Sequence, residues 1–152
     1  MDPLERIADR LDTLLDRVEH LLPPSPTTID WADSSAARWV HDTRGGGLEP
    51  VPHTHPIRLD ALQHIARQRD AAVRNTRQFL AGLPANNILL SGARGTGKSS
   101  LIKALLNEYA DEGLRLIEVE PQYLVELPRI TAAVNGRPER FILFCDDLSF
   151  EA

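Results

Sequence analysis

Residues 92–99 contain the residue types that can bind the phosphates of a nucleoside triphosphate. Their letters, GARGTGKS, fit the pattern G-x-x-x-x-G-K-S/T at every fixed position. Glycines allow a backbone of positive φ, which lets successive amides point at phosphate oxygens. The ammonium group of Lys98 can reach the β- and γ-phosphates, and the hydroxyl of Ser99 is a ligand type that Mg²⁺ accepts. The pattern therefore predicts a phosphate-binding loop.

Every residue of this loop, together with the one that follows it, is a candidate ligand contact. The set is Gly92, Ala93, Arg94, Gly95, Thr96, Gly97, Lys98, Ser99 and Ser100. A helix predicted over residues 98–110 would direct the positive end of its dipole at the same place. The apolar run at residues 88–90 predicts a buried parallel strand before the loop, which is the context that the pattern requires.

A second candidate group follows an apolar stretch at residues 141–145. Asp146 and Asp147 come directly after it. Carboxylates at the C-terminal end of a parallel strand face the crevice in which open α/β sheets bind ligands. We expect Asp146 to orient Mg²⁺ and Asp147 to polarise the attacking water. The predicted catalytic residues are thus Lys98, Asp146 and Asp147, and the predicted metal ligands are Ser99 and Asp146.

The remaining pattern predicts the elements that position these groups. They are strands at residues 114–119 and 141–145 and helices at residues 59–80 and 122–134. Pro128 is expected to kink the last helix, because proline removes a backbone donor. Strands that alternate with helices are typical of an α/β fold with a parallel sheet and flanking helices.

The first third of the chain has a different pattern. Apolar residues at alternating steps of three and four predict an amphipathic helix over residues 1–22, which packs on its own domain, stays loose, or pairs with a second copy or a partner. These residues are Leu4, Ile7, Leu11, Leu14, Val18 and Leu21. Residues 23–56 read as a proline-rich linker and an irregular segment, anchored by Trp31 and Trp39.

Composition limits the class of protein. With 152 residues, 42% hydrophobic and 26% charged, the chain fits one globular domain plus an appendage. The sequence has no apolar run of about 18 residues, so no membrane span is expected. A net charge of −5 argues against a large non-specific nucleic-acid surface. A lone cysteine, Cys145, fits a reducing, cytoplasmic location. His53 and His55 lack a third nearby ligand, so no metal site is expected there.

Three segments resemble a known family. The segments FLAGLPANNILL, GARGTGKSS and FILFCDDLSFE are similar to the AAA+ ATPases of the family called domain of unknown function 815. The resemblance covers residues 57–152, while residues 1–56 match only loosely. It implies a P-loop NTPase domain that binds ATP rather than GTP, with Mg²⁺ as cofactor, and that forms a homo-oligomer at full length.

The resemblance carries further expectations about single residues. It implies that a group of apolar residues packs near the adenine. Their spacing alone is also typical of residues that belong to the hydrophobic core. These residues are Ile57, Leu59, Leu62 and Ile65. Most AAA+ proteins have glutamate where this chain has Asp147, so activation of water could pass to Glu151. A fourth strand between the loop strand and the Asp146 strand would lie beyond Ala152, and we therefore expect this chain to be the N-terminal part of a longer ATPase.

These observations leave three functions open. The leading one is ATP binding and hydrolysis coupled to remodelling or partner binding. A nucleotide-dependent binding module without appreciable turnover is the second, and a P-loop kinase or GTPase is the third. The sequence has no N-K-x-D string for reading guanine, which argues against GTP.

Overall fold

The computed structural model describes residues 3–21, 28–42, 45–52, 56–93 and 95–148. The helices and strands are, in chain order, α1 (Pro3–Leu21), β1 (Ala36–Asp42), β2 (Gly45–Pro50), α2 (Ala66–Leu80), α3 (Lys98–Tyr109), β3 (Leu114–Glu118), α4 (Leu127–Val134) and β4 (Arg140–Phe144). Within these ranges none of the helices is both long and apolar enough to span a bilayer.

The strands form one mixed sheet in the order β2-β1-β3-β4. Strands β1, β3 and β4 are parallel, with Ala37 opposite Ile117 and Leu116 opposite Ile142. The chain turns back after β1, so β2 pairs with it antiparallel. The predicted α/β class is confirmed, and the strands predicted at residues 114–119 and 141–145 pair in parallel, while the hairpin adds an antiparallel pair that the prediction of a parallel sheet did not include.

Strand β3 is the centre of the protein. Leu114 and Leu116 face one side of the sheet, while Ile117 and the following Val119 face the other, and all four are at most 3% exposed. Since successive side chains of a strand point to opposite faces, a strand that is apolar on both must be covered on both. The helices supply this cover, as in other three-layer α/β arrangements.

Two apolar clusters fill the space between the sheet and its helices. Leu101 and Leu105 of α3 pack with Ala72 of α2 on the face of Leu114. Ile130 of α4 packs with Trp39 of β1 on the face of Ile117. Helix α3 is thereby fixed against the sheet along its buried side, and its N-terminus lies at a defined position.

Residues 88–90 do not form the predicted strand. Ile88 is 44% exposed and Leu89 is 73% exposed, while Leu90 packs against the first cluster. A strand needs a neighbour that pairs with its backbone, and none of the described strands lies beside this segment. Two hydrogen bonds between Asn75 and Asn86 fix the chain just before this segment. The Asn75 side-chain amide donates to the Asn86 carbonyl at 2.6 Å, and the Asn86 backbone N–H donates to the Asn75 side chain at 2.8 Å.

The segment predicted to be irregular contains β1 and β2. Its pattern is hard to read because β2 begins with three glycines. A Cβ at Gly46 would collide with the indole of Trp39, so glycine is needed for the ring to approach the second strand this closely. Trp31 and Trp39 are each 3% exposed, which confirms their predicted role as anchors.

Two predicted helices are shorter than expected. Residues 122–134 divide into a 3₁₀ turn (Pro121–Glu126) and α4. Pro128 does not kink a helix, because it lies in the first turn of α4, where its missing N–H costs no hydrogen bond. Residues 59–80 divide into a 3₁₀ turn (Leu59–Ala61) and α2, with a break at His64, whose φ is 64°. The predictions of α1 and of α3 are confirmed.

A partly buried hydrogen bond joins β1 to the turn before α4. The Trp39 indole N–H donates to Glu126 at 2.9 Å, and the Glu126 side chain is only 14% exposed. We expect Trp39→Phe to lower the free energy of unfolding by about 1 kcal/mol more than Trp31→Phe, because Glu126 loses one hydrogen-bond donor while it keeps His41 at 2.7 Å. Trp31 is equally buried and has no side-chain hydrogen bond within the described residues, which makes it the matched control. Equal losses in urea unfolding would show that this bond contributes nothing.

Candidate phosphate-binding site

The loop before α3 is bent by glycines in the left-handed half of backbone space. Gly92, Gly95 and Gly97 have φ of 143°, 77° and 88°. A Cβ added at Gly95 would meet no atom within 4 Å, so the conformation, not crowding, requires glycine there. Such turns direct neighbouring amides into one concavity, which is the geometry that anions bind.

The side chain of Lys98 stabilises the loop by hydrogen bonds to its backbone. Its ammonium group donates to the carbonyl oxygens of Gly92 and Ala93, each at 2.8 Å. The hydroxyl of Thr96 also donates to the Ala93 carbonyl at 2.8 Å. In the part of the chain that the structure describes, Lys98 forms no ion pair with a carboxylate. Its charge is therefore held at the loop without being neutralised.

The N-terminus of α3 adds to this positive potential. Gly97 is the N-cap, its φ is left-handed, and no side chain caps the first amides. The first turn contains no acidic residue. Acidic or capping side chains normally satisfy these amides, and a lysine at this end is unfavourable by itself. An anion bound in the loop would satisfy both the amides and Lys98.

Strand β4 brings an acidic residue to the same place. The strand ends at Phe144, so Asp146 lies at the C-terminal edge of the parallel strands. The hydroxyl of Ser99 donates to Asp146 Oδ2 at 2.8 Å, and the Asp147 N–H donates to Asp146 Oδ1 at 2.9 Å. The two motifs that the sequence singled out are thus in direct contact. Asp147 has a left-handed φ of 53°, so the chain turns sharply behind Asp146.

An open cleft of about 440 Å³ lies over these residues. It is lined by Gly95, Gly97, Lys98, Ser99, Ser100, Asp146 and Asp147. Every one of them was a predicted site residue, and one wall is cationic while the other is acidic. A cleft of this size is within the range of small-ligand sites.

A second cleft of about 320 Å³ adjoins the first and shares Ser99 and Asp146 with it. Its other walls include Arg38, Lys103 and Glu118, none of which the sequence analysis identified. Lys103 could have been found, because it follows Ser99 by one helical turn. Arg38 lies in β1 and bonds to Glu118 of β3 at 2.7 Å, and nothing local in the sequence signals that pairing.

Cys145 separates β4 from the acidic pair. Its thiol is partly buried, and burial raises the pKa of Cys145 above its ordinary value, with a further contribution from the negative charge of Asp146. The thiol is therefore neutral at physiological pH. Its position is that of a small packing residue, as the apolar run predicted.

The apolar residues expected near an adenine lie beside the loop. Leu59, Leu62 and Ile65 are half-buried against the first cluster, and Ile65 Cδ1 lies 3.9 Å from where a Cβ of Gly97 would be. Ile57 is also half-buried, and its carbonyl accepts a hydrogen bond from Asn107 of α3 at 3.0 Å. The packing anchors this segment to α3, and contact with a base remains a prediction.

Some predicted positions lie outside the described residues. They are Arg94, Glu151, His53 and His55. Among the described side chains, no three of His, Cys, Asp or Glu cluster as a metal site. The oxygens of Ser99 and Asp146 do fit Mg²⁺, which commonly uses one or two protein ligands and takes the rest from phosphates and water.

Fold and site together describe a mixed α/β protein whose glycine-rich loop opens a helix beside the acidic end of a sheet strand. Residues 32–152 match the family described as "Protein of unknown function (DUF815)", and the chain belongs to that family. The match starts before β1 and so includes the hairpin, whereas the resemblance noted above was confined to residues 57–152. No curated protein and no solved structure was found to match the chain.

Proposed function

We propose that this chain is the nucleotide-binding part of a P-loop ATPase of the AAA+ type, which binds ATP with Mg²⁺ and hydrolyses it. The observation that carries the proposal is the 2.8 Å hydrogen bond between Ser99 and Asp146. It joins a phosphate-loop hydroxyl to a carboxylate at a strand end, from two motifs that are far apart in sequence. A glycine-rich turn without a ligand has no need of that partner.

Different groups of the chain are proposed to bind the phosphates and the Mg²⁺ ion. The amides around Gly95 and Gly97 and the ammonium group of Lys98 would hold the phosphates, with Lys98 exchanging its two carbonyl acceptors for phosphate oxygens. Ser99 and Asp146 would hold Mg²⁺, which when bound offsets the negative charge of the phosphates. Ile65 and its apolar neighbours would exclude water from one side of the nucleotide.

The hydrolytic step requires a group that accepts a proton from water. Asp147 is the described candidate, because it lines the cleft next to Asp146. Its side chain is one methylene shorter than the glutamate that most AAA+ proteins have at this position, so its reach is shorter. Glu151 lies outside the described residues and is the alternative acceptor.

The short reach of Asp147 favours a second candidate function. A domain that binds ATP tightly and hydrolyses it slowly would act as a nucleotide-dependent binding module. Phosphate released per site per minute, measured with saturating Mg²⁺ and ATP, separates this function from that of an ATPase. Competition between ATP and GTP tests the nucleotide preference, which rests on the family resemblance and would also expose a GTPase.

Two glycines with similar backbone angles give a controlled test of the loop. Gly95 and Gly113 have φ of 77° and 91°, and a Cβ at either would meet no atom within 4 Å. Replacing either with alanine should therefore cost about 1 to 2 kcal/mol of backbone strain. Only Gly95→Ala should also weaken ATP binding, by about 10-fold or more, since its strain would displace the loop amides that are proposed to hold the phosphates.

The comparison is made by urea unfolding and by titration with Mg²⁺ and ATP. Equal stability losses with unequal affinities are the expected result. If Gly113→Ala weakened ATP binding as much as Gly95→Ala, the effect would come from stability alone, and the loop would lose its assigned role.

A further inference from the structure

Helix α1 carries an apolar stripe that nothing in the described chain covers. Ile7, Leu11, Leu14 and Leu15 are each between 54% and 56% exposed. These residues follow the spacing of one helix face. Four large side chains in a row with half of their surface in water are unusual for a monomer, and they point to an interaction surface.

The charges on α1 are sorted to the two sides of this stripe. Glu5 and Asp12 lie on one side, and Arg10 and Arg17 lie on the other. At about 100° per residue, each lies roughly 85 to 135° from the centre of the stripe. Arg6 falls on the basic side as well, and Asp9 lies on the opposite face of the helix. The stripe therefore has one acidic flank (Glu5 and Asp12) and one basic flank (Arg10 and Arg17).

This arrangement is complementary to itself in one orientation only. When two identical helices pack stripe to stripe in parallel, the acidic flank of each faces the basic flank of the other at both seams. When they pack antiparallel, acid faces acid and base faces base, which is repulsive. A second copy of this chain thus fits both the apolar stripe and its charges.

We propose that α1 is a self-association surface on which a second copy of this chain packs its own α1 in parallel. At 19 residues the helix is about 28 Å long. So short a pairing gives a reversible, concentration-dependent dimer. The inference is independent of nucleotide binding, and every measurement below is made on the whole chain without nucleotide.

Sedimentation over a range of protein concentrations provides the first test. The chain should move from monomer to dimer, and Leu11→Asp should raise the dissociation constant at least about 100-fold, because a buried leucine is lost from both copies. Thr13→Asp adds the same charge roughly 145° from the centre of the stripe, outside the apolar contact, and should change the constant by no more than about twofold. A chain that stays monomeric, or one whose association is insensitive to Leu11→Asp, would overturn the proposal.

Charge reversal provides a test that does not depend on the apolar contacts. The variant with Arg10→Glu and Arg17→Glu has two acidic flanks, and the variant with Glu5→Arg and Asp12→Arg has two basic flanks. Each alone should dimerise more weakly than the original chain, and a mixture of the two should form a heterodimer. A mixture that associates no better than either variant alone contradicts the assigned flanks.

Disulfide trapping tests the orientation. In a Cys145→Ser background, Ile7→Cys places a thiol near the start of the stripe, where parallel pairing brings the two Cβ atoms within bonding reach. Mild oxidation should give a covalent dimer of Ile7→Cys and none of Asp9→Cys, which lies on the opposite face. A dimer by sedimentation in which Ile7→Cys fails to cross-link would rule out the parallel arrangement.

Discussion

Replacing Lys98 with alanine should weaken the binding of Mg²⁺ and ATP at least about 100-fold, which corresponds to about 2.7 kcal/mol. The variant removes the positive charge that the loop holds at 2.8 Å from the carbonyl oxygens of Gly92 and Ala93. Hydrogen bonds to charged groups contribute about 1.5 to 3 kcal/mol each, so the loss of a phosphate contact accounts for the effect. Isothermal titration calorimetry measures it.

The control for this experiment is Arg74→Ala, which removes an exposed cation from the middle of α2 that lines neither cleft. Its affinity for ATP should stay within about twofold, because a solvated charge outside the cleft is largely screened. Urea unfolding of both variants should show that each remains folded. An unchanged affinity in a folded Lys98→Ala variant would mean that the ligand lies elsewhere.

Replacing Asp146 with asparagine should reduce the rate of ATP hydrolysis by about 100-fold or more, since the Mg²⁺ that this carboxylate is proposed to hold would stabilise the transition state by several kcal/mol. Asparagine keeps the shape of the side chain and an oxygen that can accept the Ser99 hydroxyl, which now bonds at 2.8 Å. The fold should therefore be preserved while the metal is held less well. The rate of phosphate release, measured as the Mg²⁺ concentration is raised, tests this expectation.

Two results would separate metal binding from general damage. Asp111→Asn removes an exposed carboxylate in the turn after α3 and should leave hydrolysis unchanged. The Asp146→Asn variant should need more Mg²⁺ for half-maximal activity, while its affinity for ATP without Mg²⁺ stays close to that of the original chain. A normal Mg²⁺ dependence in Asp146→Asn would remove Asp146 from the metal site.

The parts of the structure that were predictable from sequence are those that local chemistry determines. The loop glycines require a positive φ, and the helix that starts at Lys98 follows from its apolar spacing. The contact between Ser99 and Asp146 was also predictable, because strand ends and helix starts meet at one edge of a parallel sheet. Each of these inferences needed only a short stretch of residues and a general rule.

The parts that were not predictable depend on residues far away in the chain. The apolar run at residues 88–90 is typical of a strand, but a strand also requires a paired neighbour, and the run itself carries no information about one. The hairpin β1–β2 was missed because glycines in β2 look like a flexible break, whereas Gly46 makes room for Trp39. The ion pair of Arg38 with Glu118 became visible only once β1 was placed beside β3.

Binding of Mg²⁺ and ATP to the folded chain is the most direct test of the phosphate-binding site. Calorimetric titration should give saturable binding with one site per chain, and the Lys98→Ala variant should bind at least about 100-fold more weakly. The absence of any binding heat, in a sample that unfolds cooperatively in urea and is therefore folded, would contradict the proposal that residues 92–99 clasp a nucleoside triphosphate.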